Sequence, residues 1–278
     1  MRHQVERFWQ RWGDTVGFLF WGLTVSLVCF LLYRVAVRNS TTHLEPLSAE
    51  GRDSLMTVAV PHGVSDTLVR YSAFDVHFNS ERGIANCAAY ELVNNELNGT
   101  AERGNTFLQD TSVKGCPSQQ DYSGSGMDRG HLVPAGDLKW NPEAMRQSFL
   151  MTNICPMAKQ LNEGGWAKLE EKVREWVHRD SALLVFAGPV VSEGDSTLAG
   201  GKVKVPSHYF KVVMAPCVRP KRAIAFIYPN GNSGKPLRQY AVSVDEVEQR
   251  TGLNFFYLLP QEEQHRLEST VNLDAWLN

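Results

Sequence analysis

Apolar positions fall into three patterns along the chain. The first is a continuous run over residues 15–33 (TVGFLFWGLTVSLVCFLLY), 19 residues without a charge, enough at ~1.5 Å rise per residue to cross most of a ~30 Å hydrocarbon core. Arg2, Arg7 and Arg11 precede it, Arg34 and Arg38 follow, and Trp9, Trp12, Trp21 and Tyr33 lie towards its ends, as basic and aromatic residues do at a membrane boundary. The run exceeds a normal signal-peptide core and no A-x-A site follows it. The expectation is an uncleaved signal anchor, with residues 1–40 forming a cytoplasmic N-terminus and the transmembrane helix. Residues 41–67 are polar and broken by Pro46, Gly51, Pro61 and Gly63, which predicts a linker leading to a domain over 68–278.

The second pattern consists of short runs rich in β-branched and aromatic residues, bounded by Gly, Pro or polar turns. LVRYSAFDVHF (68–78) and NCAAYELV (86–93) read as strands joined by a turn over 79–83, and ALLVFA (182–187), YFKVVMA (209–215) and RAIAFIY (222–228) read as further strands. The third pattern has a period of three and four. Trp166, Leu169, Val173, Trp176 and Val177 form an apolar stripe on a helix beginning near Asn162 or Glu163, with charges on its other face. Strands on both sides of one long helix predict an α+β domain rather than regularly alternating α/β. Between the first strands and Met127 lies a loop-like segment with Gly104, Gly115, Pro117, Gly124 and Gly126, long enough to carry function.

Composition adds bounds. With 278 residues, 43% hydrophobic and 21% charged, the chain can bury a core without staples. Its net charge of −2 shows no overall basic excess, yet residues 1–40 carry five Lys/Arg and two Asp/Glu, and residues 202–244 hold eight Lys/Arg and no acid. That basic stretch is expected to flank a cleft and guide a phosphate backbone, with activity falling as salt rises; the alternative is scattered lysines on strand edges. If residues 41–278 lie outside the cytoplasm, Cys87, Cys116, Cys155 and Cys217 allow three complete pairings, and the absence of C-x-x-C argues against structural zinc.

The densest chemistry is Asp128-Arg129-Gly130-His131. On a strand, Arg129 and His131 point to the same side. An imidazole with an ordinary pKa near 6.5 can activate water, and a planar guanidinium suits charge developing on a phosphate. Arg129 could instead pair with Asp128 in a turn. Downstream, Asn162 suits a helix N-cap, and Glu170 could be one of the solvated charges in the 170–175 run.

DRGHLVPAGD (128–137), TNICPM (152–157) and LNEGGWAKLEE (161–171) together resemble the DNA/RNA non-specific endonuclease family, the ββα-metal nucleases that include endonuclease G. FNSERGIANCAAYEL (78–92), AGPVV (187–191) and VPSHYFKV (205–212) extend the resemblance over roughly 70–275. It implies a ββα-metal fold with a mainly antiparallel sheet and a long metal-site helix. It implies hydrolysis of DNA and RNA with His131 as general base, and Asn162 as sole protein ligand to Mg²⁺, with Mn²⁺ or another divalent ion as alternatives. Glu170 would hold a metal-bound water, Asn153 would support the site by hydrogen bonding, Arg129 could contact phosphate, and Arg82 falls where the family binds the scissile phosphate. Two departures stand out: Cys87 replaces a usual Trp, and Met157 replaces a usual Gln that could have formed a pocket wall.

The implied partners are DNA and RNA, the membrane through the N-terminal helix, and a second copy in a homodimer. The implied location is a membrane-anchored catalytic domain on the extracytoplasmic side. A silent nucleic-acid- or protein-binding module is the alternative from another class, as is a hydrolase of other phosphodiesters. The presence of both His131 and Asn162 favours the enzyme.

Overall fold

The computed structural model describes residues 48–277. The apolar run at 15–33, and with it the expected membrane span, lies outside these residues. Among the described residues no helix is long and apolar enough to cross a membrane.

Strand formation follows the alternating runs. β1 (Thr67–Arg70), β2 (Phe74–Asn79) and β3 (Ile84–Val93) form a meander. The 68–78 run is therefore two strands, split where Tyr71 donates its backbone N–H to the carbonyl of Phe74. The expected turn at 79–83 is present, and Gly83 there has φ +63°, a conformation that glycine adopts without steric cost. β4 (Asp128–His131) and β5 (Ile154–Met157) pair separately as an antiparallel hairpin. β6 (Ala182–Val190) joins β3; β7 (Thr197–Leu198) and β8 (Val203–Lys204) pair with each other. β9 (His208–Ala215), β10 (Arg222–Pro229) and β11 (Ala241–Val242) complete an antiparallel seven-stranded sheet of order β1-β2-β3-β6-β9-β10-β11.

Both faces of this sheet are buried. Leu183, Val185 and Ala187 of β6 and Tyr209 and Val213 of β9 face one core, with Trp166, Leu169, Val173 and Trp176. Leu184, Phe186, Val212 and Met214 face the other, with Val244, Val247, Phe255 and Leu267 of the C-terminal segment. Period two along each strand thus divides the molecule into helix, sheet and helix layers, an α+β arrangement. The hairpin β4–β5 and the long helix Ala167–Asp180 lie on the first face.

The expected linker over 41–67 is packed in its second half. Ser48 caps a helix over Ala49–Met56, Leu55 and Val58 are buried in the second core, and Ala59 bridges to Asn254. This segment thus packs against the second core, because it contributes apolar side chains as well as turn residues. Cys87, Cys116, Cys155 and Cys217 are buried, and among the described residues Cys87, Cys116 and Cys155 form no disulfide.

Candidate active site

The hairpin sets His131 in place. Gly130 lies opposite Cys155 in the β4–β5 register, and a Cβ at Gly130 would collide with the Met157 side chain. Met157 is itself fully buried. It fills the space that the glycine leaves and belongs to the core, not to a pocket wall.

Arg129 and His131 do share one side of β4. Phe107, from the long loop, lies against both, with its ring centroid 5.6 Å from the His131 ring and 5.5 Å from the Arg129 guanidinium carbon. Phe149 meets His131 edge-on at 4.8 Å, and Trp166 Nε1 donates to the His131 carbonyl at 3.2 Å. Nε2 of His131 is buried and has no hydrogen-bond partner among the described residues. Burial, followed by the positive charge of Arg103, pushes the imidazole pKa down to about 3, so the ring is neutral near pH 7.

Arg129 does not pair with Asp128. It donates to the Gln119 carbonyl at 3.0 Å, and the Asp128 carboxylate instead accepts from Asn162 Nδ2 at 3.0 Å. An ionised carboxylate only accepts, so this bond fixes the amide orientation and turns Asn162 Oδ1 away as a free acceptor. Asn162 is thereby excluded as a helix N-cap. It lies in a π-helical turn over Leu161–Trp166 that is broken at Gly164 (φ −109°, ψ −106°) before the α-helix starts at Ala167. Gly165 in that turn is required because Tyr228 and Ser233 occupy the space of a Cβ, and its N–H donates to Ser233 Oγ at 2.9 Å. Irregular turns of this kind concentrate at functional sites. The break also means that Asn162 and Glu170 are not related by one continuous helix.

Glu170 is half-buried on the first turn of the α-helix. Burial pushes its carboxyl up to about 7, although the positive charges of Lys211, Arg174 and Arg103 pull the other way. Beneath it, the fully buried Asp137 accepts from Tyr90 and Arg174, each at 2.8 Å. Asn153 is also fully buried: its Oδ1 accepts from the Val133 N–H at 3.0 Å, and its Nδ2 donates to the carbonyls of Val133 and Ser148 at 3.0 and 2.9 Å. Asn153 is thus saturated by backbone and positions the chain just after His131.

Arg82 lies elsewhere. It lines a recess with Glu81, Val191, Ser192, Glu193 and Lys204, and none of the residues around His131 lines that recess. The arginine that reaches the site is Arg103, exposed in the long loop, whose guanidinium carbon is 5.4 Å from the Phe149 ring centroid. The glycine-marked loop was a sequence signal for it, but nothing in that loop singled out this residue.

The basic stretch at 202–244 is largely spent on the protein itself. Lys202, Lys221 and Arg222 pair with Asp121, Glu263 and Asp180. Lys204 and Arg219 donate to backbone carbonyls, and Lys211 is buried. Only Lys235 and Arg238 of the eight are exposed without an ion pair among the described residues, so the stretch does not form a continuous phosphate track. Among the other histidines, His77 pairs with Asp66, His178 with Asn94 and His208 with Ser207.

Comparison with known proteins agrees with this arrangement. The profile of the DNA/RNA non-specific endonuclease family matches residues 51–262. A nuclease of Nostoc sp. is 35% identical over 214 residues, covering 72% of this chain and 76% of that protein. Nuclease C1 of Cunninghamella echinulata is 32% identical over 222 residues, covering 73% and 88%, and the mitochondrial nuclease 1 of Schizosaccharomyces pombe is 30% identical over 236 residues, covering 76% and 72%. A chain from the crystal structure of the EndoG/EndoGI complex shares the fold, with a TM-score of 0.66 at 24% identity over 71% of this chain and 89% of that one. The chain belongs to the DNA/RNA non-specific endonuclease family and is a nuclease.

Proposed function

We propose that the protein cuts DNA and RNA by direct attack of water on phosphorus, with His131 as the general base and a divalent cation, Mg²⁺ by preference, held through Asn162 Oδ1. The observation that carries this reading is that one short strand holds both a neutral His131 and the Asp128 carboxylate that locks the Asn162 amide.

The donor set suits such an ion. A single neutral amide oxygen, with no sulfur or imidazole ligand beside it, fits a small hard cation that keeps most of its waters. Bound there, the cation would offset charge building on the phosphate. The His131 imidazole takes the proton from the attacking water, and the imidazolium formed returns it to solvent or to the leaving oxygen. Glu170 would accept a hydrogen bond from water at the cation, Arg103 and Arg129 would meet the phosphate, and Asn153 fixes the chain behind His131. Contacts of this type go to phosphate and sugar, which carry no base information directly, so sequence preference is low.

The domain boundaries and location belong to the same reading: a membrane anchor over the charge-free run at 15–33 would hold the nuclease outside the cytoplasm. Protease digestion of sealed vesicles of known sidedness tests it, and a domain protected on the cytoplasmic side refutes it.

The catalytic reading is tested by incubating the protein with plasmid DNA and with RNA, in Mg²⁺ or EDTA, beside His131→Ala and Asn162→Ala. Cutting of both substrates that is abolished by EDTA and by either substitution supports it. Undiminished cutting by His131→Ala removes the base assignment, and undiminished cutting in EDTA removes the metal.

A further inference from the structure

Lys211 is a lysine in the middle of a buried strand. It lies on β9 opposite Ala187 of β6 and Phe226 of β10, and it is 0% exposed. Alternation puts it on the same sheet face as Tyr209 and Val213, the face that carries the site. Its Nζ has no hydrogen-bond partner among the described residues and lies 4.4 Å from the Trp166 ring centroid. A buried ammonium without acceptors is costly, and contact with one indole face offsets only part of that cost. Burial pushes the Lys211 pKa down, and the carboxylates of Glu170 and Asp137 pull it back up, so its charge depends on those neighbours.

Trp166 donates its indole N–H to the His131 carbonyl, and Glu170 follows Trp166 by four residues, so both lie on one face of the helix start. The charged groups that act on Lys211 are Glu170, Asp137 and Arg174, and Arg103 also acts on Glu170. Asp137 is already engaged by Tyr90 and Arg174. No hydrogen bond from another described residue reaches the Glu170 carboxylate.

We propose that Lys211 is a positioning residue of the nuclease, whose buried ammonium, seated on Trp166, supplies the fixed positive charge that anchors the Glu170 carboxylate at the floor of the cleft. Lys211 touches neither substrate nor the reacting atoms; it acts through Glu170 and through the indole that holds the His131 backbone. The inference rests on the nuclease reading above.

A double-mutant cycle tests it in the full-length protein with Lys211→Met, which keeps the stem and removes the charge, Glu170→Gln, and the pair. If Lys211 works through Glu170, Lys211→Met lowers kcat by about tenfold or more, as loss of a supporting partner at a metal site does, and has little further effect once Glu170 is Gln. In EDTA, without reference to activity, the thermal-stability loss from Lys211→Met shrinks in the Glu170→Gln background. Lys211→Arg restores part of the lost kcat by returning the charge. Additive effects in both measurements overturn the proposal, since a purely structural lysine would not couple to Glu170. If Lys211→Met alone does not fold, a folded double variant supports the proposal and an unfolded one counts against it. Wild-type protein that cuts neither nucleic acid refutes the nuclease reading instead, whereas active wild type with an unaffected Lys211→Met refutes only the role of Lys211.

Discussion

Asp128 and Asn162, 34 positions apart, meet through one hydrogen bond of 3.0 Å that decides which atom of the asparagine faces the cleft. In the proposed reading the acid of the Asp-Arg-Gly-His run ligates nothing, yet it decides which Asn162 atom is offered to the cation. Asp128→Asn leaves a side chain of the same size that can offer either an oxygen or an NH₂ to Asn162, so the amide orientation is no longer fixed. We expect the apparent Mg²⁺ affinity to fall by about 10- to 100-fold with little change in Tm, measured by metal titration of cleavage. Unchanged metal dependence would show that Asn162 is oriented by other means.

Arg103 and Arg82 make opposite predictions. Arg103 lies over Phe149, which packs on His131, whereas Arg82 lines a separate recess beside Lys204. Removing a cation that faces developing phosphate charge costs rate, so Arg103→Ala is expected to lower kcat/KM by about 10- to 1000-fold. Arg82→Ala should change it by less than about threefold. Steady-state kinetics on one short duplex decides between them, and a large loss in Arg82→Ala with none in Arg103→Ala would reverse the assignment.

Much of this was legible in sequence because each element carried its own periodicity. The runs at 182–187, 209–215 and 222–228 became β6, β9 and β10, each extended by only one to three residues, and the 166–177 stripe became one face of the helix. His131 and Asn162 were visible because their motifs are local. What escaped reading depends on contacts remote in sequence. Arg103 is brought to the site by the fold of a loop, Gly165 beside the break packs against Tyr228 and Ser233 from another segment, and the basic stretch at 202–244 is neutralised by acids from elsewhere, such as Asp180 and Glu263. The packing of Leu55 and Val58 was hidden because polar neighbours gave their segment the composition of a linker.

The site has a direction of pH dependence. His131 is neutral at any pH well above about 3, so it does not impose a loss of activity near neutrality in the free enzyme. Glu170, whose carboxyl is pushed up to about 7 by burial, is ionised above that value and protonated below it. The profile of kcat/KM at low metal concentration should therefore fall as pH drops through about 7, and the residual activity of Glu170→Gln should lose this limb. An acid limb that survives in Glu170→Gln assigns it to another group.

Asn153 makes three hydrogen bonds to backbone and is fully buried. Asn153→Ala leaves the Val133 N–H and two carbonyls without their partner, and each unsatisfied buried group costs about 1–3 kcal/mol. A destabilisation of about 2–4 kcal/mol in urea unfolding is expected, together with loss of activity because the chain after His131 is released. A variant of native stability that is nevertheless inactive would give Asn153 a direct part in the chemistry.

The second face of the sheet carries its own titration. Asp245 and Glu248 on the helix Val244–Thr251 approach Glu268 on the helix Gln261–Ser269, with carboxylate oxygens within 4.8 Å of one another. Burial pushes both Glu248 and Glu268 up to about 7, with the neighbouring acids adding to it. In the unfolded chain both would titrate near 4.5. A raised carboxyl pKa means that the folded state holds protons the unfolded state has released, so the associated stability is complete below about pH 4.5 and is lost as pH rises through about 7. We expect this cluster to cost roughly 1–2 kcal/mol between pH 5 and pH 8, a few degrees in Tm. Glu268→Gln should remove about half of that slope, because the amide keeps an oxygen to accept from Gln264 and carries no charge to release, while Glu248 is raised mainly by its own burial. Scanning calorimetry at pH 5 and pH 8, in EDTA to exclude bound cations, checks it. An equal slope in wild type and Glu268→Gln would place the pH-sensitive groups outside this pair of helices.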